Sequence, residues 1–159
     1  MIKNQYQQAD NMTDSLAALS NASSGAIADF DELMEHFEQR WYQDTLVMDK
    51  WFAINAKYTS VNIFRRLERL ISHELFSLKN PNRARALIGA FVMQNPRYFH
   101  CETGQGYRFL SNQIELLNEI NPQVASRLIT PLIQFKALNV SHQALIKNEL
   151  NRLSNLPSL

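Results

Sequence analysis

The sequence predicts an all-α fold: an α-solenoid of stacked helical hairpins, armadillo/HEAT-like, with about eight helices. Three observations carry this. Only four glycines occur in 159 residues and β-branched runs are scarce, which disfavours a sandwich or barrel. Apolar residues recur every three or four positions in segment after segment, whereas two-residue alternation is nowhere sustained. The linkers are short, so successive helices must turn back against one another.

Taken in order, residues 1–9 are polar and Gln-rich and show no core face. We read them as a truncated or loosely ordered N-terminal segment, ahead of a helical-repeat domain over 10–159. Ile27, Phe30, Met34, Phe37 and Trp41 define one face of a helix. Asp44-Thr45 looks like the cap of the next helix, and Ser60 the cap of one built on Ile63, Phe64, Leu67, Leu70 and Ile71. Asn80-Pro81, Asn95-Pro96 and Asn121-Pro122 each place Asn at the cap and Pro at the first helical position. There Asn accepts an orphan backbone N–H, and Pro has none to orphan. Gly104-Gln105-Gly106 marks the most flexible loop, ahead of a helix on Leu110, Ile114 and Leu117. Pro131 predicts a kink or break in the helix that starts at Pro122. Ser141 looks like the cap of a last helix with Ile146, Leu150 and Leu153 inward. The Asn-Pro starts are unevenly spaced, so any internal repeat is degenerate.

A chain of this length buries roughly 70% of its unfolded surface and needs no metal or disulfide to be stable. The net charge is +1, from 16 basic and 15 acidic residues. That balance argues against a nucleic-acid partner and against a membrane-surface partner, both of which need a basic face. Cys101 is the sole cysteine, so no disulfide forms within the chain. The longest apolar run, Ala86 to Met93, is broken by Gly89 and too short to span a bilayer. The start of the chain shows no apolar signal segment. The expected location is cytoplasmic.

Few residues suggest chemistry. His73-Glu74-Leu75-Phe76-Ser77 begins like H-E-x-x-H, but Ser77 stands where the second metal ligand belongs. Cys101 beside His100 reads as a structural cysteine, because neighbours on a backbone rarely aim at each other. Arg65, Arg66 and Arg69 read as a solvated helix face, and Asp49 has no obvious partner. Arg83 and Arg85 sit in the first turn after Asn80-Pro81, where the helix dipole prefers anions. Either they bridge to neighbouring helices or they serve a site. Gln123 and Arg127, four residues apart, share one helical face beside an apolar stripe of Val124, Leu128, Pro131, Leu132 and Phe135.

Several segments, in order, carry a family resemblance: Asn11-Met12-Thr13-Asp14 with Ala17-Ala18-Leu19, Leu46-Val47-Met48-Asp49-Lys50-Trp51-Phe52, and Asn80-Pro81-Asn82-Arg83-x-Arg85-x-Leu87-Ile88-Gly89-Ala90-Phe91. Asn95-Pro96 with Phe99-His100, Gly104-x-Gly106-Tyr107-x-Phe109-Leu110 and the stretch from Leu117 to Ile133 complete the set. Together they resemble the C-terminal helical domain of bacterial aminopeptidase N, a zinc-dependent alanyl aminopeptidase; beyond Lys136 the resemblance weakens. It implies a non-catalytic lid domain that closes over a catalytic domain of the same polypeptide and helps hold peptide substrates. Arg85, Gln123 and Arg127 match substrate-chamber residues of that family. Zinc is implied in the catalytic domain of the parent and none in this chain, since the family's H-E-x-x-H and G-x-M-E-N motifs are missing. A free-standing helical-repeat module for protein–protein interaction is the alternative.

Overall fold

A computed structural model describes residues 12–25, 28–134 and 140–155. The chain starts with α1 (Met12–Gly25), α2 (Phe30–Trp41), α3 (Thr45–Ala56) and α4 (Ile63–Ile71). Then α5 (Pro81–Ala84) runs through a π-helical turn (Arg85–Gly89) into α6 (Ala90–Gln94). The short α7 (Pro96–Phe99) leads to α8 (Gln105–Ile120), α9 (Pro122–Gln134) and α10 (Val140–Ser154). With Pro81–Gln94 taken as one continuous helix, the described residues hold nine helices and no strand. Sequence neighbours pack on one another: α1, α2 and α3 form one group, and α8 packs on α9 and α10. This is the hairpin-upon-hairpin arrangement of a solenoid. The segment 1–9, Ile27 and Phe135 lie outside the described residues.

Local chemistry sets most of the starts. The Asp44 carboxylate accepts from the Val47 N–H at 3.2 Å. The Asn80 side chain accepts from the Asn82 and Arg83 N–H groups, and Asn121 from Val124. Asn95 departs from the pattern. Its side chain is 1% exposed and donates instead to the carbonyls of Ala56 and Tyr58, both at 3.0 Å. It ties the end of α6 to the end of α3 rather than capping α7. Helix α4 opens at Ile63, three residues past Ser60, and Ser141 falls inside the first turn of α10. Pro131 does not break α9, which runs on to Gln134.

The core follows the periodic faces. Phe30, Met34 and Phe37 of α2 are buried, as are Ile63, Leu67 and Leu70 of α4. Tyr107, Leu110, Ile114 and Leu117 bury one stripe of α8, facing Val124, Ala125 and Leu128 of α9. Each such aliphatic or aromatic side chain contributes about 1.5–3 kcal/mol by leaving water. An edge-to-face series runs through the middle: Phe64 on Phe91, Phe91 on Phe99, and Phe99 on Tyr107, with centroids 5.2–6.0 Å apart. It joins α4, α6, α7 and α8.

Two arginines are buried in this core. Arg83 donates from Nε to Asp49 at 2.5 Å and from Nη1 to the Leu75 carbonyl at 2.6 Å, with its guanidinium over the Phe52 ring. This is the bridging role open to it in the sequence, and it supplies the partner Asp49 lacked. Arg66 corrects the sequence reading. Arg65 and Arg69 are exposed as expected, but Arg66 is 6% exposed. It pairs with Asp31, donates to Asn55 at 3.0 Å and lies against the stacked rings of Phe30 and Tyr58, 4.9 Å and 4.2 Å from their centroids. A guanidinium is weakly hydrated and flat, so it packs against aromatic rings more readily than an ammonium does.

His100 also has a fixed place. Burial pushes the Tyr107 phenol up to about 12, so its O–H persists, hydrogen-bonded with His100 Nδ1 at 2.6 Å. His142 of α10 reaches the His100 carbonyl at 2.7 Å. Burial, with His142 nearby, holds the His100 pKa below its ordinary 6.5. The unfolded chain therefore takes up this proton at higher pH than the folded one. The contribution is fully present above pH 6.5 and is lost as pH falls through the lower folded value. Thermal melting should accordingly drop from neutral pH toward about pH 5, with a shallower slope in His100→Gln. Equal slopes would exclude His100 as the group responsible.

Candidate functional site

Arg85 begins the π turn and Gly89 ends it. A π turn is rare, places one extra residue in a helix, and is frequent at functional sites. Facing it is the start of α9, where Val124 and Leu128 are buried while Gln123 and Arg127, on the next face round, are exposed. Between the two helices lies an open recess of about 460 Å³. Its wall includes Arg85, Gly89, Ala90 and Met93 on one side, Val124, Arg127 and Leu128 on the other, and Ala53 of α3.

Two of the three expected site residues thus meet. Arg85 and Arg127 come from helices far apart in sequence and line the same recess. Both side chains are exposed, and neither has a hydrogen-bond or ion-pair partner among the described residues. Two guanidiniums over an apolar floor, with no anionic partner among the described residues, suit a ligand that brings carbonyl or carboxylate oxygens together with an apolar body. Gln123 is exposed one turn before Arg127 but is not part of the wall.

The sequence reading named Val124 and Leu128 as an apolar stripe but did not join them to the wall from Gly89 to Met93. Gly89 is the clearest omission. Glycine within a helix costs roughly 0.5–1 kcal/mol relative to alanine, and a Cβ built at Gly89 meets nothing within 4 Å. No packing neighbour therefore requires a glycine there. A glycine interrupting an apolar helical run was the available signal; the π turn left none.

Other groups that could carry chemistry are internally engaged, His73, Arg66 and His100 among them. A second recess of about 380 Å³ is lined by Asp31, Glu35, Glu38, Arg66, Arg69 and His73 among others. Within it Arg66 pairs with Asp31, and His73 Nε2 lies 2.7 Å from Glu38. His73 Nδ1 accepts from the Leu75 N–H at 3.0 Å, so both ring nitrogens are used. Cys101 Sγ lies 3.3 Å from the Thr103 hydroxyl, while His100 Nδ1 faces Tyr107. The two neighbours do not form a nucleophile–base pair.

Comparison with known proteins agrees with this architecture. A family model described as a domain of unknown function (DUF3458_C) with ARM repeats matches residues 1–159. Aminopeptidase N of Haemophilus influenzae is 46% identical over the whole chain, and that of Escherichia coli 43%. The matches therefore continue past Lys136. In each case the chain spans 18% of the relative's length. The crystal structure of Legionella pneumophila aminopeptidase A in complex with aspartic acid superposes with a TM-score of 0.90 at 31% identity, covering 96% of this chain and 18% of that one. By these matches the chain belongs to the DUF3458_C ARM-repeat domain family, the helical C-terminal part of bacterial aminopeptidase N.

Proposed function

We propose that this chain is the non-catalytic lid of a zinc aminopeptidase that removes N-terminal residues from peptides. It closes the substrate chamber of a catalytic domain on the same polypeptide, and Arg85 and Arg127, with Gln123 nearby, hold the peptide. The observation that carries this reading is the recess: two exposed guanidiniums without partners among the described residues, set on separate helices over one apolar floor. The aminopeptidase names of relatives more than 40% identical support the parent activity. Zinc belongs to the catalytic domain in this reading. The chain's nearest approach to a metal motif does not fit a metal, because His73 is engaged by Glu38 and Leu75 and Ser77 offers no second imidazole. The domain's part is then positioning. Guanidinium hydrogen bonds to a peptide carbonyl or terminal carboxylate fix the chain, and the lid excludes water from the bond being cut.

In the longer polypeptide, Arg127→Ala should lower kcat/KM for peptides by about 10- to 150-fold, the equivalent of one charged hydrogen bond. A small alanine anilide that does not reach the recess should be much less affected. Zinc content should stay the same. Equal losses on both substrates, with a large fall in melting temperature, would make Arg127 a structural residue and sink the chamber role. A free-standing interaction module would show no peptidase activity to change, and its reading frame would carry no H-E-x-x-H upstream.

A further inference from the structure

We infer that the recess between the π turn and α9 is a side-chain subsite for an aliphatic residue of the peptide, and that Gly89 sets its depth. The inference rests on the lid reading and adds a specificity to it. Arg85 and Arg127 supply charge at the recess, and neither has an anionic partner among the described residues. A peptide residue whose carbonyl or carboxylate meets them has its own side chain within a few bonds, over Val124, Leu128 and Ala90. These three residues offer methyl groups and no hydrogen-bonding side chain, so the part of the occupant above them is aliphatic, and Gln94 adds one amide to the wall besides the two arginines. Gly89 lies on the same wall with open space beside its Cα. Any larger side chain there would extend into the volume that the ligand uses, without meeting the protein's own atoms. A helix interior that omits a Cβ where nothing crowds it departs from the local rule in favour of the site. Met93 stands 70% exposed on the same wall, and its flexible thioether adapts to occupants of different shape.

The test compares two tripeptides, alanyl-alanyl-leucine and alanyl-alanyl-glycine, in the full-length polypeptide. The native protein should prefer the leucine peptide. Gly89→Leu should reduce the leucine-over-glycine ratio of kcat/KM by about tenfold, the discrimination that filling an apolar pocket typically removes. Its melting temperature should hold or rise, since the substitution removes a helix glycine and meets nothing. Gly89→Ala should fall between native and leucine variants. A ratio unchanged in Gly89→Leu, or no preference in the native protein, would overturn the subsite. Arg127→Ala keeps the two readings apart. If it weakens both tripeptides relative to alanine anilide while Gly89→Leu leaves the ratio intact, the lid reading stands and the subsite falls. If Arg127→Ala spares the tripeptides as well, both fall.

Discussion

Gly106→Ala should destabilise the domain by more than about 3 kcal/mol, the upper range for forcing extra atoms into a packed site. A Cβ at Gly106 would lie 2.1 Å from the Phe99 carbonyl oxygen and 2.6 Å from the Phe99 C and Cα. All three are backbone atoms, so no side chain can swing aside. Relief requires the first turn of α8 to move off the end of α7. That movement would pull Tyr107 from Phe99 and from His100, which it contacts at a centroid distance of 5.2 Å and through a 2.6 Å hydrogen bond. Gly104, two residues earlier, is a useful contrast. Its φ of +77° strains any other residue, but the nearest obstacle is the Leu145 side chain at 3.1 Å. Alanine there should cost only about 1–2 kcal/mol, the left-handed penalty. Thermal or urea denaturation of both variants checks the order. A Gly106→Ala protein as stable as Gly104→Ala would refute the close-approach argument.

The second large effect is expected at Arg83. Removing one partner of a buried ion pair costs about 3–5 kcal/mol, because the other charge is left uncompensated. Arg83→Met keeps the stem over Phe52 but leaves Asp49, itself only 18% exposed, without its cation, so the loss should lie at the lower end of that range. The Leu75 and Thr45 carbonyls lose their donors as well. For a domain of this size the melting temperature should fall by about 10 °C. Adding Asp49→Asn should recover part of the loss, since coupled residues are not additive. A double variant as unstable as the sum of the singles would mean that Asp49 contributes nothing to the effect.

These cases show where the sequence was readable. The helical faces were legible because burial follows the 3.6-residue period, and Ile63, Leu67 and Leu70 could be assigned inward from spacing alone. Caps at Asp44, Asn80 and Asn121 were legible because one side chain reaches only its own first turn. Asn95 failed because its carboxamide found carbonyls of α3 and the loop after it, 37 and 39 residues away. Arg66 failed for a similar reason. Composition marks an arginine as polar, and only the fold reveals two rings and a carboxylate waiting for it. At the candidate site the family resemblance pointed to Arg85, Gln123 and Arg127, but spacing did not tell which of them would share a recess, nor that Gly89 would leave its wall open.

The π turn at Arg85–Gly89 acts as a phase shift in one helix. Each residue of an α-helix advances the side chains by about 100° about its axis. One surplus residue therefore turns everything beyond it by nearly a third of a revolution. Before the shift, Arg83 is aimed at Asp49 near the start of α3. After it, Ala90 and Met93 line the opening toward α9. An uninterrupted α-helix of the same sequence would keep one orientation and forfeit the other. Deleting a single residue inside the turn should thus uncouple two properties that substitution leaves joined, preserving the buried clamp while the recess loses its wall.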